Sequence, residues 1–206
     1  MIITNNCLGG YIYKHNELQY DNPFIWTRIY INSFINLVKN YKDIDFQNFE
    51  LLENNDLIEK YNPYIGKHQF SINLKPDIRI IFQHIKYDAA AKEPIIKRFN
   101  EFTGDIFSRY TYKIVYETYL RRLKRFDTNK KTLFVFMHDA PQFDDNEVLE
   151  LLNTAEKSSQ QMIFFTEDEM YKSLKFNNVT VIVIDRKNFE QIYIAKTYND
   201  LFKDYL

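Results

Sequence analysis

The chain has 206 residues, 45% of them hydrophobic and 27% charged, with 27 Lys and Arg against 28 Asp and Glu for a formal net charge of -1. This length can bury a sizeable core without disulfides or structural metal, and the balanced charge excludes a global field that would draw the chain to nucleic acid or anionic lipid. Cys7 is the single cysteine, which excludes an intrachain disulfide and a cysteine-based zinc site; a thiol that must persist reduced suits the cytoplasm.

Met1-Ile2-Ile3 reads as a first strand, followed by Asn5-Asn6-Cys7-Leu8-Gly9-Gly10, a polar turn that restarts as a helix. A helix start leaves backbone N–H groups unpaired and favours thiolate over thiol at Cys7. Asn22-Pro23 marks a turn, and Ser33 reads as the cap of a helix carrying Phe34, Leu37, Val38 and Tyr41 on one face. Residues 61–74, with Pro63 and Gly66, read as loop or irregular strand, and Ile78–Ile85 as a buried strand. Asp88 opens a helical stretch that Pro94 interrupts, and a long amphipathic helix is expected from Arg109 to Phe126.

The second half is more regular. Thr132–Met137 is a continuous apolar run of strand length, Asp144–Glu156 sets Val148, Leu149, Leu151 and Leu152 on a helical stripe, and Gln161–Phe165 is another apolar run. Together they make a β-α-β unit. Thr166-Glu167-Asp168-Glu169 has the form of a capping box, Val179–Ile184 is a further strand, and Thr197–Tyr205 reads as a closing helix. Strands apolar on both faces and separated by helices predict a single α/β domain over residues 1–206: a three-layer sandwich around a mostly parallel or mixed sheet. No apolar run is long enough to span a bilayer, and the N-terminus lacks the pattern of a secretory signal.

In such a sheet, functional residues gather beyond the carboxyl ends of the strands. Asn5-Asn6-Cys7, His84, His138-Asp139, Thr166 and Asp185 each follow a predicted strand. If all the strands are parallel, a thiol, two imidazoles and two carboxylates share one edge, enough for nucleophile, base and orienting carboxylate. His84 is the preferred base, with Asp139 or Asp88 to orient it, and His138 is a candidate substrate contact. Gly9 and Gly10 permit a close backbone approach and equally suit a tight turn. His84, His138 and Asp139 lack the tight spacing of known zinc motifs, so neither metal nor cofactor is expected. His15 and His68 read as surface residues.

Charge is placed unevenly. Arg109–Lys131 holds eight basic and two acidic residues, whereas Asp139–Glu169 holds nine acidic and one basic. The plain reading is two solvated faces; the sharper one makes Arg121, Arg122, Lys124 and Arg125 a docking surface for phosphate or an acidic glycan. The 16 Tyr and 18 Phe read as core filler first.

Several separated elements stand in a familiar order: Asn5-Asn6-Cys7-x-Gly9-Gly10, Pro23, Asp77-Ile78 leading into Phe82-x-His84, and the Arg-rich Tyr119–Phe126 before Phe134-Val135-Phe136. This order resembles an uncharacterised bacterial family whose members are sometimes labelled exopolysaccharide biosynthesis proteins. The Asn-Cys start followed by Pro23-Phe24-Ile25-Trp26 also resembles, more weakly, a set of papain-like cysteine peptidases. The chain departs from the first pattern at Leu8 and Ile85, and from the second at Ile25, where an acid is usual. The resemblance implies Cys7 and His84 as site residues and surface-polysaccharide metabolism as their context.

Two functions follow. In the first, Cys7 attacks an acyl carbonyl of a small-molecule or glycan substrate, His84 moves the proton, and the N–H groups of residues 7–9 with the amide of Asn5 or Asn6 hold the oxyanion. In the second, the Asn5–Gly10 turn cradles the phosphate of an activated sugar, Arg121, Arg122 and Arg125 supply charge, and Cys7 is a bystander. A scaffold role is a third possibility, and the sequence does not indicate an oligomeric state.

Overall fold

The computed structural model describes residues 1–53, 70–82, 115–138 and 143–206. The described elements are β1 (Ile2–Thr4), α1 (Leu8–His15), β2 (Thr27–Arg28), α2 (Ile31–Asn40), β3 (Phe49–Glu53), β4 (Phe70–Leu74) and β5 (Ile78–Phe82). A helix over residues 115–123, here α3, follows. Then come β6 (Leu133–Met137), α4 (Asp145–Lys157), β7 (Gln161–Thr166), β8 (Val179–Val183) and α5 (Gln191–Thr197). The fold is mixed α/β, with two sheets where one was expected: a parallel sheet in the order β1-β6-β7-β8 and an antiparallel sheet in the order β2-β5-β4-β3.

The parallel sheet forms around strands that are predominantly apolar. All five residues of β6 are buried, as are all but the first of β7. Alternate residues divide between two apolar clusters, as the two-residue period of a strand requires. Ile3, Phe134, Phe136, Met162 and Phe164 join Phe34, Leu37 and Val38 of α2 and Val148, Leu151 and Leu152 of α4. Ile2, Leu133, Val135, Met137, Ile163 and Phe165 join Leu8 and Ile12 of α1 and Ile194 and Ala195 of α5. A sheet whose strands bury both sets of side chains has no solvated face to show as alternation in sequence.

Ile78–Phe82 requires a correction. It lies in the antiparallel sheet, where β5 pairs with β4 through Leu74↔Ile78, Ile72↔Ile80 and Ser71↔Ile81. Only Lys75-Pro76-Asp77 separates the two strands, too short for the crossover that parallel strands need. Phe70–Leu74, expected as loop or irregular strand, is accordingly the regular partner strand β4. Ile72, Leu74, Ile78, Ile80 and Phe82 send their side chains into the cluster that contains Phe134 and Phe136, so one body of apolar contacts backs both sheets.

Several boundaries also move. Tyr30 stands at the N-cap of α2, its side chain not capping the helix, while Ser33 lies inside the helix and its Oγ accepts the Arg79 N–H at 3.1 Å, tying α2 to β5. Asp144 does cap α4, in a reciprocal box with Glu147. The cap of the short 3₁₀ helix Glu169–Ser173 is Asp168, not Thr166. The expected closing helix over 197–205 is instead the end of α5 followed by two 3₁₀ turns, Asn199–Leu201 and Lys203–Tyr205. The helix expected to reach Phe126 ends at residue 123. Beyond α4, the Glu156 carboxylate accepts from three donors, the Asn177 N–H at 3.0 Å, the Asn178 N–H at 2.9 Å and the Asn177 amide at 2.7 Å. These fasten the approach to β8 onto the helix.

Candidate functional site

The parallel order brings the carboxyl ends of β1, β6, β7 and β8 to one edge. The residues that follow them differ in how their polar groups are engaged. Asn5, directly after β1, continues the ladder with its side chain: Nδ2 donates to the Met137 carbonyl at 3.0 Å and Oδ1 accepts the Met137 N–H at 2.9 Å. Its backbone carbonyl accepts the Ile29 N–H at 2.8 Å, linking the approach to α2 to the same point. Asn5 thus uses both ends of its amide on the backbone of β6, where a substrate contact had been expected.

Asn6 and Thr4 engage the start of α1. Asn6 Oδ1 accepts the Leu8 N–H at 3.0 Å, and Thr4 Oγ1 accepts the Gly9 N–H at 3.1 Å while donating to the Asn6 carbonyl at 2.6 Å. Thr4 escaped the sequence reading because a capping side chain ordinarily reaches an N–H two or three residues ahead, and Gly9 lies five residues beyond Thr4. Two of the N–H groups expected to face an oxyanion therefore already have acceptors. Cys7 occupies the N-cap position of α1 and is only 3% exposed.

The glycines belong to α1 and not to an open cradle, and neither has positive φ. A Cβ on Gly9 would stand 2.9 Å from Thr4 Oγ1, and one on Gly10 would stand 2.3 Å from the Trp26 indole. Their bareness lets α1 lie close to β1 and to Trp26. The arginines are also drawn elsewhere. Arg122 is buried, donates to the Ile25 carbonyl and lies over the Tyr20 and Phe82 rings at 5.6 and 5.9 Å. Arg125 donates to the Tyr20 carbonyl at 3.1 Å, and Arg121 is exposed.

After β6 and β7 the side chains meet one another. His138 extends the ladder through its N–H to the Phe165 carbonyl at 2.9 Å, and its Nδ1 lies 3.2 Å from Thr166 Oγ1. That hydroxyl oxygen accepts the Asp168 N–H at 3.0 Å. The imidazole lies nearly parallel to Phe164, tilted by 33° to Phe143, and edge-on to Tyr171. Tyr171 donates to Asp145 Oδ1 at 2.7 Å; burial first, and this carboxylate second, hold its phenol well above the ordinary tyrosine range. After β8, Asp185 caps a 3₁₀ turn, accepting the Lys187 N–H at 3.2 Å, which keeps its carboxyl below the ordinary range.

The edge therefore unites Asn5, Asn6 and Cys7 with His138 and Thr166. His84, Asp88 and Asp139 lie outside the described residues. Because β5 belongs to the antiparallel sheet, strand direction does not carry His84 to the edge where the parallel strands end. Among the described residues no group of three His, Cys, Asp or Glu is arranged to hold a metal ion, and no helix is long and apolar enough to cross a membrane.

A second property of the edge comes from the connections. The chain leaves β1 toward the cluster of α1 and α5 and leaves β6 toward the cluster of α2 and α4, so adjacent strands diverge to opposite faces between Asn5-Cys7 and His138. In open parallel sheets a switch point of this kind is where ligands bind; here Asn5, Asn6 and Cys7 beside it are buried.

No curated protein matches this sequence. A family model described as a domain of unknown function, DUF1919, matches residues 1–113, which run from β1 and Cys7 through the whole antiparallel sheet. Since this is more than half of the chain, the protein belongs to the DUF1919 family.

Proposed function

We propose that the chain is a cysteine-dependent acyl-transfer enzyme, hydrolase or acyltransferase, with Cys7 as nucleophile. The observation that carries this reading is the position of Cys7 at the first turn of α1, on the side of β1 where the sheet changes direction of winding. A helix N-terminus favours the thiolate, and a switch-point crevice is where ligands of open parallel sheets bind. The reading of the fold as three layers in a single domain is supported by the two apolar clusters that flank the parallel sheet. The single thiol suits a reducing compartment, and we assign the protein to the cytoplasm on that ground.

The thiolate adds to an ester, thioester or amide carbonyl. The C–S bond forms, the bond to the alcohol, thiol or amine breaks, and that group leaves with a proton delivered by an imidazole. Water or an acceptor hydroxyl then attacks the thioester and restores Cys7. We keep His84 as the proton carrier and Asp139 or Asp88 as its partner, assignments drawn from the sequence. With Cys7 only 3% exposed, the reading favours a small acyl group reaching a closed site. The resemblance to exopolysaccharide proteins supports a surface saccharide as its carrier.

The test is alkylation. Because Cys7 is the only thiol, iodoacetamide uptake followed by mass spectrometry reports on it alone. An activated Cys7 reacts faster in the native chain than in the urea-unfolded chain at neutral pH, and Cys7→Ala takes up nothing. Native protection at every pH, with reaction only after unfolding, overturns the proposal.

A further inference from the structure

A strand at the end of a sheet has peptide groups on its outer side with no strand to bond, and folds ordinarily guard them. Among the described residues, three of the four end strands are guarded. At β1 the Ile2 carbonyl accepts the Asn22 amide at 3.1 Å, β2 is only two residues long, and β3 carries the exposed Glu50. The fourth, β8, is Val179-Thr180-Val181-Ile182-Val183, a run without charge, proline or glycine. Thr180 is exposed and the three residues after it are half-buried. The 3₁₀ helix Glu169–Ser173, which packs against β8, leaves Met170 49% exposed, so this margin of the sheet is also apolar.

The ladder determines which peptide groups of β8 face outward. Met162 donates its N–H to the Asn178 carbonyl at 2.9 Å, and Ile184 donates its N–H to the Thr166 carbonyl at 2.9 Å. Alternate residues of a strand turn their peptide groups to the same side, so Thr180 and Ile182 also face β7, while Val179, Val181 and Val183 face away. Among the described residues no strand lies beyond them, since β8 is last in its sheet. This outward set has a two-fold pattern. When a second β8 is laid antiparallel about Val181, Val179 opposes Val183, Val181 opposes itself, and each outward N–H meets a carbonyl. No charged side chain lies in the paired stretch to oppose its like. The pairing also sets the end of one strand beside the start of the other. Just beyond the end, Asp185 is paired with Lys187, while Arg186 has a side chain 90% exposed, with Glu167 no closer than 3.9 Å. At the start lies the Glu156 carboxylate, held by Asn177 and Asn178, so Arg186 of each copy approaches an acid of the other.

We propose that two copies of the chain associate through β8, paired antiparallel about a two-fold axis at Val181, so that the two parallel sheets of four join into one of eight strands. The partner is a second copy because the outward set complements itself, and a two-fold contact closes the assembly at two. Association does not depend on the acyl transfer proposed above. Because the two β8 strands run in opposite directions, the strand-end edges that carry Cys7 and His138 lie on opposite sides of the joined sheet, and neither covers the other.

The experiment uses the full chain, sedimented to equilibrium at concentrations from roughly 5 to 500 μM, where a small interface divides between monomer and dimer. A monomer–dimer equilibrium is expected. Residue-resolved amide exchange across the same range is expected to slow about tenfold at Val181 and Val183 as dimer forms, whereas Thr180 and Ile182, bonded to β7, are protected at both ends of it. Val181→Pro removes the N–H on the axis, a group that the ladder to β7 does not use, and proline is tolerated on edge strands for that reason. This variant is expected to keep the far-ultraviolet circular dichroism of the wild type and to dimerise at least about tenfold more weakly. A chain that sediments as a monomer throughout overturns the proposal. So does a dimer in which Val181 exchanges as fast as in the monomer, and so does a folded Val181→Pro chain that dimerises as the wild type does. If Val181→Pro fails to fold, the exchange of Val181 in the wild type decides alone.

Discussion

Two parts of one sheet edge treat their polar side chains in opposite ways. After β1, Asn5, Asn6 and Thr4 are committed to main-chain groups: the amide of Asn5 lies across Met137, and Asn6 and Thr4 cap the first turn of α1. After β6 and β7, side chain meets side chain, with His138 on Thr166 and Tyr171 on Asp145, although the Thr166 oxygen also accepts the Asp168 N–H. Groups committed to the backbone hold the architecture and cannot be recruited by a ligand without breaking it. Groups committed to each other can exchange partners at small structural cost, which is what binding and proton chemistry ask of them.

The sharpest way to break the contrast is to remove one member from each side. Asn5→Ala strips partners from the N–H and the carbonyl of Met137, a residue 1% exposed. At roughly 1 to 3 kcal/mol for each buried group left unsatisfied, the loss is about 3 kcal/mol in urea unfolding. His138→Gln, by contrast, keeps a side-chain amide able to pair with the Thr166 hydroxyl, and is expected to cost no more than about 1 kcal/mol. Equal losses would erase the distinction between the two ends.

A smaller effect sharpens the second region. Tyr171→Phe removes one hydrogen bond to Asp145 and lowers stability by about 1 kcal/mol near neutral pH. The sign with pH follows from the raised phenol. Its stabilisation is complete below the unfolded value of about 10 and is lost as pH rises toward the folded value. The gap between wild type and Tyr171→Phe therefore narrows in alkaline solution, and a gap that widens there contradicts the assignment. The smallest effect lies outside the edge, at Glu156. Hydrogen bonds, first from Asn178 and then from Asn177, hold its carboxyl below the ordinary range. Its contribution is present above the unfolded value of about 4.3 and is lost as pH falls through the folded one. Glu156→Gln should unfold with a flatter acid limb than the wild type, a difference that thermal melts between pH 3 and 6 can read.

The parallel sheet was legible because β6, β7 and β8 are apolar runs of strand length separated by a helical stripe with a clear cap at Asp144. The antiparallel sheet was not, although Lys75-Pro76-Asp77 between two short runs is a hairpin signal that the continuous apolar appearance of Ile78–Ile85 concealed. At the site, the sequence located Cys7 and His138 at strand ends but not the work of their neighbours. Whether an asparagine faces a ligand or copies a peptide group depends on register, and the register of β1 against β6 is set by residues far along the chain. Thr166 was noted as a strand-end residue and read as a helix cap; its partner on the next strand appears only once β6 and β7 lie side by side.

The pairing of β1 with β6 has a consequence in time. Asn5 and Met137, joined through an amide, are 132 residues apart in the chain. At a synthesis rate of about 5 to 20 residues per second, β1 and α1 leave the ribosome on the order of ten seconds before the strand that completes them. Throughout that interval Ile2, Ile3, Leu8 and Ile12 lack the strand that buries them, and Cys7 is more open to solvent and oxidants than it will be again. Contacts between distant residues also form slowly. Residues 1–15 thus depend on a strand made much later, and they are also those that carry the thiol.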